Sequence, residues 1–268
     1  MLRSLRNIFV SRTEPPRARV PDGTRYYVIG DIHGRLDLFE ALIAAIERDD
    51  AALPAADTQV VLLGDLVDRG PESAGVLART REWQDKRDVR VLAGNHEDMF
   101  LAAFERPEAL RHFLKHGGRE TILSYGVSRD RFNACSLEEL FDLMPQLVPQ
   151  AERDYISGFE DMIIAGDYLF VHAGIDPSRA LDEQKRTDML WIRDRFLNHT
   201  GPLDKVVVHG HTICETVSDH GNRIGIDTGA FRSGVLTALV LEGDRRRVMQ
   251  ASQQGDEAVE IARDGRSD

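Results

Sequence analysis

Five times along this chain a short aliphatic run stops at a ligand-type side chain, and no other feature restricts the fold as strongly. Run 25–30 leads into Asp31, 59–64 into Asp65, 89–94 into Asn95, 168–171 into His172 and 205–208 into His209. Runs this short and this apolar suit strands covered on both faces. Segment 36–48 lies between the first two runs and places Leu38, Phe39, Leu42, Ile43 and Ile46 on one helical face. Segment 73–85 is a second helix, between the second and third runs. The order β-α-β-α-β predicts parallel strands joined by right-handed crossovers. In such a sheet the residues just past the strand ends collect along one edge, and sites form there.

Residues 98–160 break this rhythm. Helices are expected at 99–104, 108–116, 119–124 and 136–143, with Gly117, Gly118 and Gly126 as stops. The segment reads as a helical insertion beside the site. Further strands are expected at 161–171, 205–209, 223–227 and 235–241, with 246–250 as a hairpin partner. This organisation predicts one domain over 21–250, a mobile basic arm over 1–20 and a polar tail over 251–268. In the arm, Arg3 and Arg6 precede Ile8, Phe9 and Val10, but the run is too short for a secretion signal and no small-residue cleavage site follows. Its arginines (Arg3, Arg6, Arg12, Arg17 and Arg19) leave weak attraction to a membrane surface as the alternative.

No stretch approaches the roughly 18 apolar residues of a membrane span, so the expected location is the cytoplasm and no transmembrane segment is expected. The net charge of −11 argues against stable nucleic-acid binding. Two cysteines, Cys135 and Cys214, are too few for a disulfide framework and are expected as free thiols.

Three fragments carry the chemistry: Gly30-Asp31-Ile32-His33-Gly34, Gly64-Asp65-Leu66-Val67-Asp68-Arg69-Gly70 and Gly94-Asn95-His96-Glu97. Here the sequence resembles the phosphoprotein phosphatase family of the calcineurin-like metallophosphoesterases, and its bacterial serine/threonine phosphatases in particular. The signatures of that family are GDxHG, GDxxDRG and GNHE. All three occur in order, each just after a predicted strand. The likeness continues through His172-Ala173-Gly174 and Gly210-His211-Thr212, so it covers roughly 25–241. It implies an α/β fold of the metallophosphoesterase type, a four-layer α/β/β/α sandwich of two mixed β-sheets with a helical insertion.

The residues themselves point toward metal chemistry. Asp31 and His33 are two apart at an extended strand exit, so they point the same way. Asp65, Asn95, His172 and His211 arrive from four other strand ends. Carboxylate, amide and imidazole donors without thiolate suit Mn²⁺, Fe or Zn²⁺. A carboxylate can bridge two ions about 3.5–4 Å apart. By resemblance, Asp31, His33 and Asp65 hold the first ion, Asp65 bridges, and Asn95, His172 and His211 complete the second. Two divalent ions are thus implied, Mn²⁺ before Fe or Zn²⁺.

Guanidinium groups grip phosphate oxygens bidentately. Arg69 directly follows Asp68. Arg193, in Leu190-Trp191-Ile192-Arg193, sits in a fragment similar to the family's WxR segment, which carries a second phosphate-binding arginine. The resemblance also makes His96 the acid at the leaving-group side, oriented by Asp68. Other candidates are secondary. His209 shares the direction of His211 and reads as its support, with metal ligation as the alternative. His112 and His116 lie four apart on one helix face without the Glu of an HExxH pattern. Lys115, Gly117, Gly118 and Tyr125 lie in a stretch similar to the GGxxTxxSYG of bacterial relatives, expected to line the substrate entrance.

The expected reaction is hydrolysis of a phosphomonoester by direct attack of a metal-bridging hydroxide, with no phosphoenzyme. The expected substrate is a phosphoserine or phosphothreonine protein or peptide. The alternative is a dinucleoside polyphosphate or RNA 5′-end hydrolase, from a neighbouring branch that often has Gln at the position of His33. A reading from another class is an inactive phosphate-sensing module. Gly210-His211-Thr212-Ile213 lacks the second histidine of the GHxH found in many metallophosphoesterases, which agrees with the protein-phosphatase branch. Ile213 stands where bacterial relatives usually have Pro, and this predicts an altered loop path beyond it.

Overall fold

The computed structural model of the chain describes residues 17–255 and 258–264. Strand β1 (Thr24–Ile29), helix α1 (Leu36–Ala52), strand β2 (Asp57–Leu62), helix α2 (Ser73–Gln84) and strand β3 (Val89–Val91) form the predicted β-α-β-α-β unit. β1 pairs with β2 and β2 with β3, both in parallel. β9 (Val235–Glu242), β10 (Arg245–Ser252) and β11 (Glu260–Asp264) extend this sheet antiparallel on the other side of β1, in the order β11-β10-β9-β1-β2-β3. A second mixed sheet runs β4 (Met162–Ala165), β5 (Tyr168–Val171), β6 (Val206–His209), β8 (Arg223–Gly225) and β7 (Ser218–Asp219). Within it β5, β6 and β8 are parallel.

Strand alternation distributes side chains among four layers. Tyr26 and Val28 of β1 and Val61 of β2 meet Phe170, Val208 and Ile224 of the other sheet in a core between the sheets. Their neighbours Tyr27, Ile29, Val60 and Leu62 face the opposite way, onto Phe39, Leu42 and Ile46 of α1 and Trp83 of α2. On the far side, Leu169, Val171 and Val207 pack against Met189 of α9 (Arg186–Trp191) and Phe196 of α10 (Asp194–Leu197). The result is the α/β/β/α sandwich.

Between β3 and β4 lie six α-helices and one π-helical turn, with no strand among them. The first, α3, spans Asn95–Ala102 and begins four residues earlier than the sequence pattern suggested. Asn95 and His96 therefore sit in its first turn. Helix α5 (Arg119–Ser124) falls as expected.

Two expectations at the ends need correction. Most of the arm lies outside the described residues, yet its last part is anchored rather than mobile. The Val20 amide donates to the Gly243 carbonyl, the Arg19 amide donates to Asp167, and the Val20 side chain is buried between the sheets. The polar tail contains a strand: β11 pairs with β10, Ile261 packs on the core and Arg263 pairs with Asp49. Val259 also packs on the core, and the polar composition around these few contacts concealed them. Cys135 and Cys214 are free thiols. Among the described residues no helix is long and apolar enough to cross a membrane.

Candidate metal centre

The exits of β1, β2, β3, β5, β6 and β8 converge, and their polar residues form one buried cluster. Asp31, His33, Asp65, Asp68, Asn95, His96, His172 and His211 are all buried, which polar side chains rarely are without compensation. Asp65 lies at the middle. Its Oδ2 is 3.6 Å from His33 Nε2 and 3.9 Å from His96 Nε2. Its Oδ1 is 3.4 Å from His172 Nε2. Two groups are able to hold a metal ion, one of His33, Asp65 and His96, the other of Asp65, His172 and His211. Asp65 is common to both. Asn95 Oδ1 joins the second, 3.0 Å from His172 Nε2 and 2.8 Å from His211 Nδ1.

The ring nitrogens are presented for ligation. His33 Nδ1 donates to the Val67 carbonyl at 2.7 Å and His172 Nδ1 to the Leu63 carbonyl at 2.8 Å, which leaves each Nε2 as the acceptor. Burial lowers the pKa of His33 to about 3 and also lowers those of His172 and His211. All three rings are neutral, as ligands must be. His211 Nε2 is buried and has no hydrogen-bond partner. Burial works against a charge on Asp65, but His172, His96 and His33 hold its carboxyl below the usual range. An N/O donor set with an orphaned imidazole nitrogen fits a divalent ion.

Five non-glycine residues among those described have positive φ: His33 (47°), Asp65 (52°), Asp68 (74°), Arg69 (69°) and His211 (61°). Such conformations cost on the order of 1–3 kcal/mol each and persist only where the surroundings enforce them. Each of the five has its backbone N–H tied down. His33 donates to Asp65 O (2.9 Å), Asp65 to Glu97 Oε2 (2.8 Å), Asp68 to Thr121 Oγ1 (2.8 Å), Arg69 to Gly117 O (3.1 Å) and His211 to Asp31 Oδ2 (3.1 Å). Among the described non-glycine residues, this left-handed strain is confined to the candidate site.

Other sequence candidates separate. Asp31 belongs to neither metal-capable trio; its two oxygens share the His211 amide. His96 enters the first trio and also donates from Nδ1 to Asp68 Oδ2 at 2.6 Å. Burial disfavours its charge, but Asp65 and Asp68 outweigh that and raise its pKa above the ordinary value. Arg69 donates from Nη1 to His33 Nε2 (2.6 Å), and its Nη2 lies 2.8 Å from His96 Nε2, with the guanidinium 4.8 Å from the centre of the Phe231 ring. Arg193 is exposed beside His211, with Nη1 3.4 Å from Thr212 Oγ1. His209 lies against Phe196 and donates to the Gly210 carbonyl, outside both trios. The His112 and His116 rings contact each other at a tilt at the surface and join neither trio. The Tyr125 hydroxyl donates to Glu152 and its ring stacks on Phe100 within the helical insertion.

Sequence reasoning missed three residues. Glu97 is fully buried and accepts the backbone N–H of Gly94, Asp65, Leu66 and Val67, at 2.7–3.2 Å. Burial and Asp65 push its carboxyl up to about 7. Thr121, from the GGxxTxxSYG-like stretch, donates to Asp68 Oδ1 at 2.6 Å and so fixes the carboxylate that holds His96. Asp227 is a third buried acid beside Asp31 and Asp65. It follows Ile226 at the exit of β8, and the same strand-then-acid pattern could have found it.

Comparison with known proteins agrees with this geometry. Serine/threonine-protein phosphatase 1 of Salmonella typhimurium is 30% identical over 217 residues, 79% of this chain and 89% of that protein. A symmetrical bis(5′-nucleosyl)-tetraphosphatase of Acidovorax ebreus is 36% identical over 184 residues, 68% of this chain but only 50% of that protein. A solved structure provisionally named as a diadenosine tetraphosphatase shares the fold at a TM-score of 0.60 and 20% identity, over 90% of this chain and 100% of that one. Residues 24–233 match the family model described as calcineurin-like phosphoesterase, a span that contains every residue of both metal-capable trios. The chain therefore belongs to the calcineurin-like phosphoesterase family and is a metal-dependent phosphatase.

Proposed function

We propose that the chain hydrolyses phosphoserine and phosphothreonine esters in proteins or peptides, with two divalent ions, Mn²⁺ before Fe or Zn²⁺, held at Asp65. The carrying observation is that the two oxygens of Asp65 lie toward different histidines, Oδ2 toward His33 and His96 and Oδ1 toward His172. Asp31, His33 and Asp65 would hold one ion, and Asp65, Asn95, His172 and His211 the other. Bound there, the ions would supply Lewis acidity and lower the pKa of a water molecule, which makes it a nucleophile.

The remaining steps belong to the protein's side chains. Arg69 and Arg193 neutralise and orient the non-bridging phosphate oxygens. His96, kept protonated by Asp65 and Asp68, delivers a proton to the departing alkoxide. Asp68 fixes the imidazole through Nδ1, so Nε2 is the atom that carries the proton toward the leaving group. A phosphoenzyme is unnecessary, since no side-chain nucleophile is required.

A second reading is hydrolysis of dinucleoside polyphosphates, favoured by the 36% identity with a tetraphosphatase. Against it stands His33, where that branch often carries Gln. Side-by-side steady-state kinetics on a phosphoserine peptide and on diadenosine tetraphosphate decide between them. The expected result is a higher kcat/KM on the peptide; a strong preference for the dinucleotide would reverse the assignment.

A further inference from the structure

Asp227 has no role in the reaction as described so far, yet it occupies the floor of the same cluster. Its side chain is 1% exposed. Backbone packing puts it there: a Cβ on Gly30 would come within 2.6 Å of the Ile226 carbonyl oxygen and 3.5 Å of the Asp227 Cα. The exits of β1 and β8 therefore touch, and Asp227 is pressed beside Asp31. One oxygen, Oδ1, accepts the Gly229 amide at 2.8 Å. The other, Oδ2, is buried with no N–H or hydroxyl donor among the described residues, and the Asp31 carboxyl lies within hydrogen-bonding reach of the Asp227 carboxyl.

Asp31, Asp65 and Asp227 make three buried acids in one cluster. The His33 and His172 imidazoles are neutral, His96 is paired with Asp65 and Asp68, and Arg69 is the cationic side chain whose charge bears on both Asp31 and Asp227. Buried carboxylates need a counter-charge, and one guanidinium does not balance both Asp31 and Asp227. A capping role for the turn at Gly229 explains Oδ1 and leaves Oδ2 unexplained. An oxygen-preferring divalent cation supplies the missing charge and a partner for Oδ2.

We propose that Asp227 is a further carboxylate of the metal centre, acting with Asp31 to hold the divalent ion on the His33 side. The inference rests on the two-ion reading of Asp65. Asp227→Asn separates the two roles of the residue, because the amide oxygen still accepts from Gly229 while the charge is gone. Isothermal titration of Mn²⁺ into chelator-stripped protein reads the effect directly. Two ions bind the wild type, and one of them should bind the variant at least tenfold more weakly. Thermal unfolding in EDTA checks that the variant is folded; should it not be, Asp227→Ser, which also removes the charge, takes its place. Equal affinities for both ions in a folded variant and the wild type overturn this inference alone. A wild type that binds no Mn²⁺ overturns the metal-centre reading and this inference with it.

Discussion

At the scale of single residues, departure of the leaving group turns on what His96 does with its proton. Asp65 and Asp68 raise its pKa above the ordinary 6.5, despite burial. A histidine acting as an acid must be protonated, and a raised pKa keeps it so to higher pH. Activity on a phosphoserine peptide should therefore fall on the alkaline side, as pH rises through that raised pKa. In Asp68→Asn the falling limb should move to lower pH, since one of the two supporting charges is gone. The value of the acid also depends on the leaving group. A serine alkoxide needs the proton, whereas p-nitrophenolate leaves without it. His96→Asn should reduce kcat on the peptide by about 10²–10⁴-fold and harm p-nitrophenyl phosphate distinctly less. Kinetics on both substrates with metal content checked in parallel give the answer. Equal losses with metals retained would mean that His96 serves the nucleophile or the ions instead.

At the scale of elements, the site is built by strand exits that are bent and then fastened. The β2 exit is the clearest case. Asp65 turns into the left-handed region, and Glu97 on α3 accepts the amides of Asp65, Leu66 and Val67, along with Gly94. α3 can come this close only because residue 94 is glycine: a Cβ there would collide with Asp65 Oδ1. Glu97→Gln keeps the size but converts one acceptor into a donor facing N–H groups. Two buried amides then lose their acceptor, at about 1–3 kcal/mol each. Urea unfolding of the metal-free protein should show a loss of roughly 2–6 kcal/mol on this count, with an unchanged m-value; a loss below about 0.5 kcal/mol would show that Glu97 does not fasten the loop. Much of this layer was legible in the sequence, because an aliphatic run followed by Gly and a ligand-type residue marks both the strand and its exit. What escaped were contacts made across long separations. The hold of Thr121 on Asp68 spans 53 residues, and that of Glu97 on Asp65 spans 32, so no local period or spacing encodes them. The start of α3 was misplaced because Asn95 and His96 are polar residues within a helical first turn. β11 was missed because its composition is that of a solvated tail.

At the scale of the whole molecule, two sheets meet so that parallel strands from each deliver ligand-type side chains to one place. β1 and β2 of one sheet bring Asp31, His33 and Asp65, while β5 and β6 of the other bring His172 and His211. Loss of either sheet would leave half a centre, and Asp65 is the residue that joins the halves, being common to both metal-capable trios. Every functional statement above depends on that junction. Its most direct test is the metal stoichiometry of Asp65→Asn, by inductively coupled plasma mass spectrometry after equilibration with Mn²⁺ and removal of free ion. Two ions are expected per wild-type chain, and a variant that retains neither tightly and has lost its turnover. A variant that keeps two tightly bound ions and hydrolyses p-nitrophenyl phosphate at a near-normal rate would contradict it.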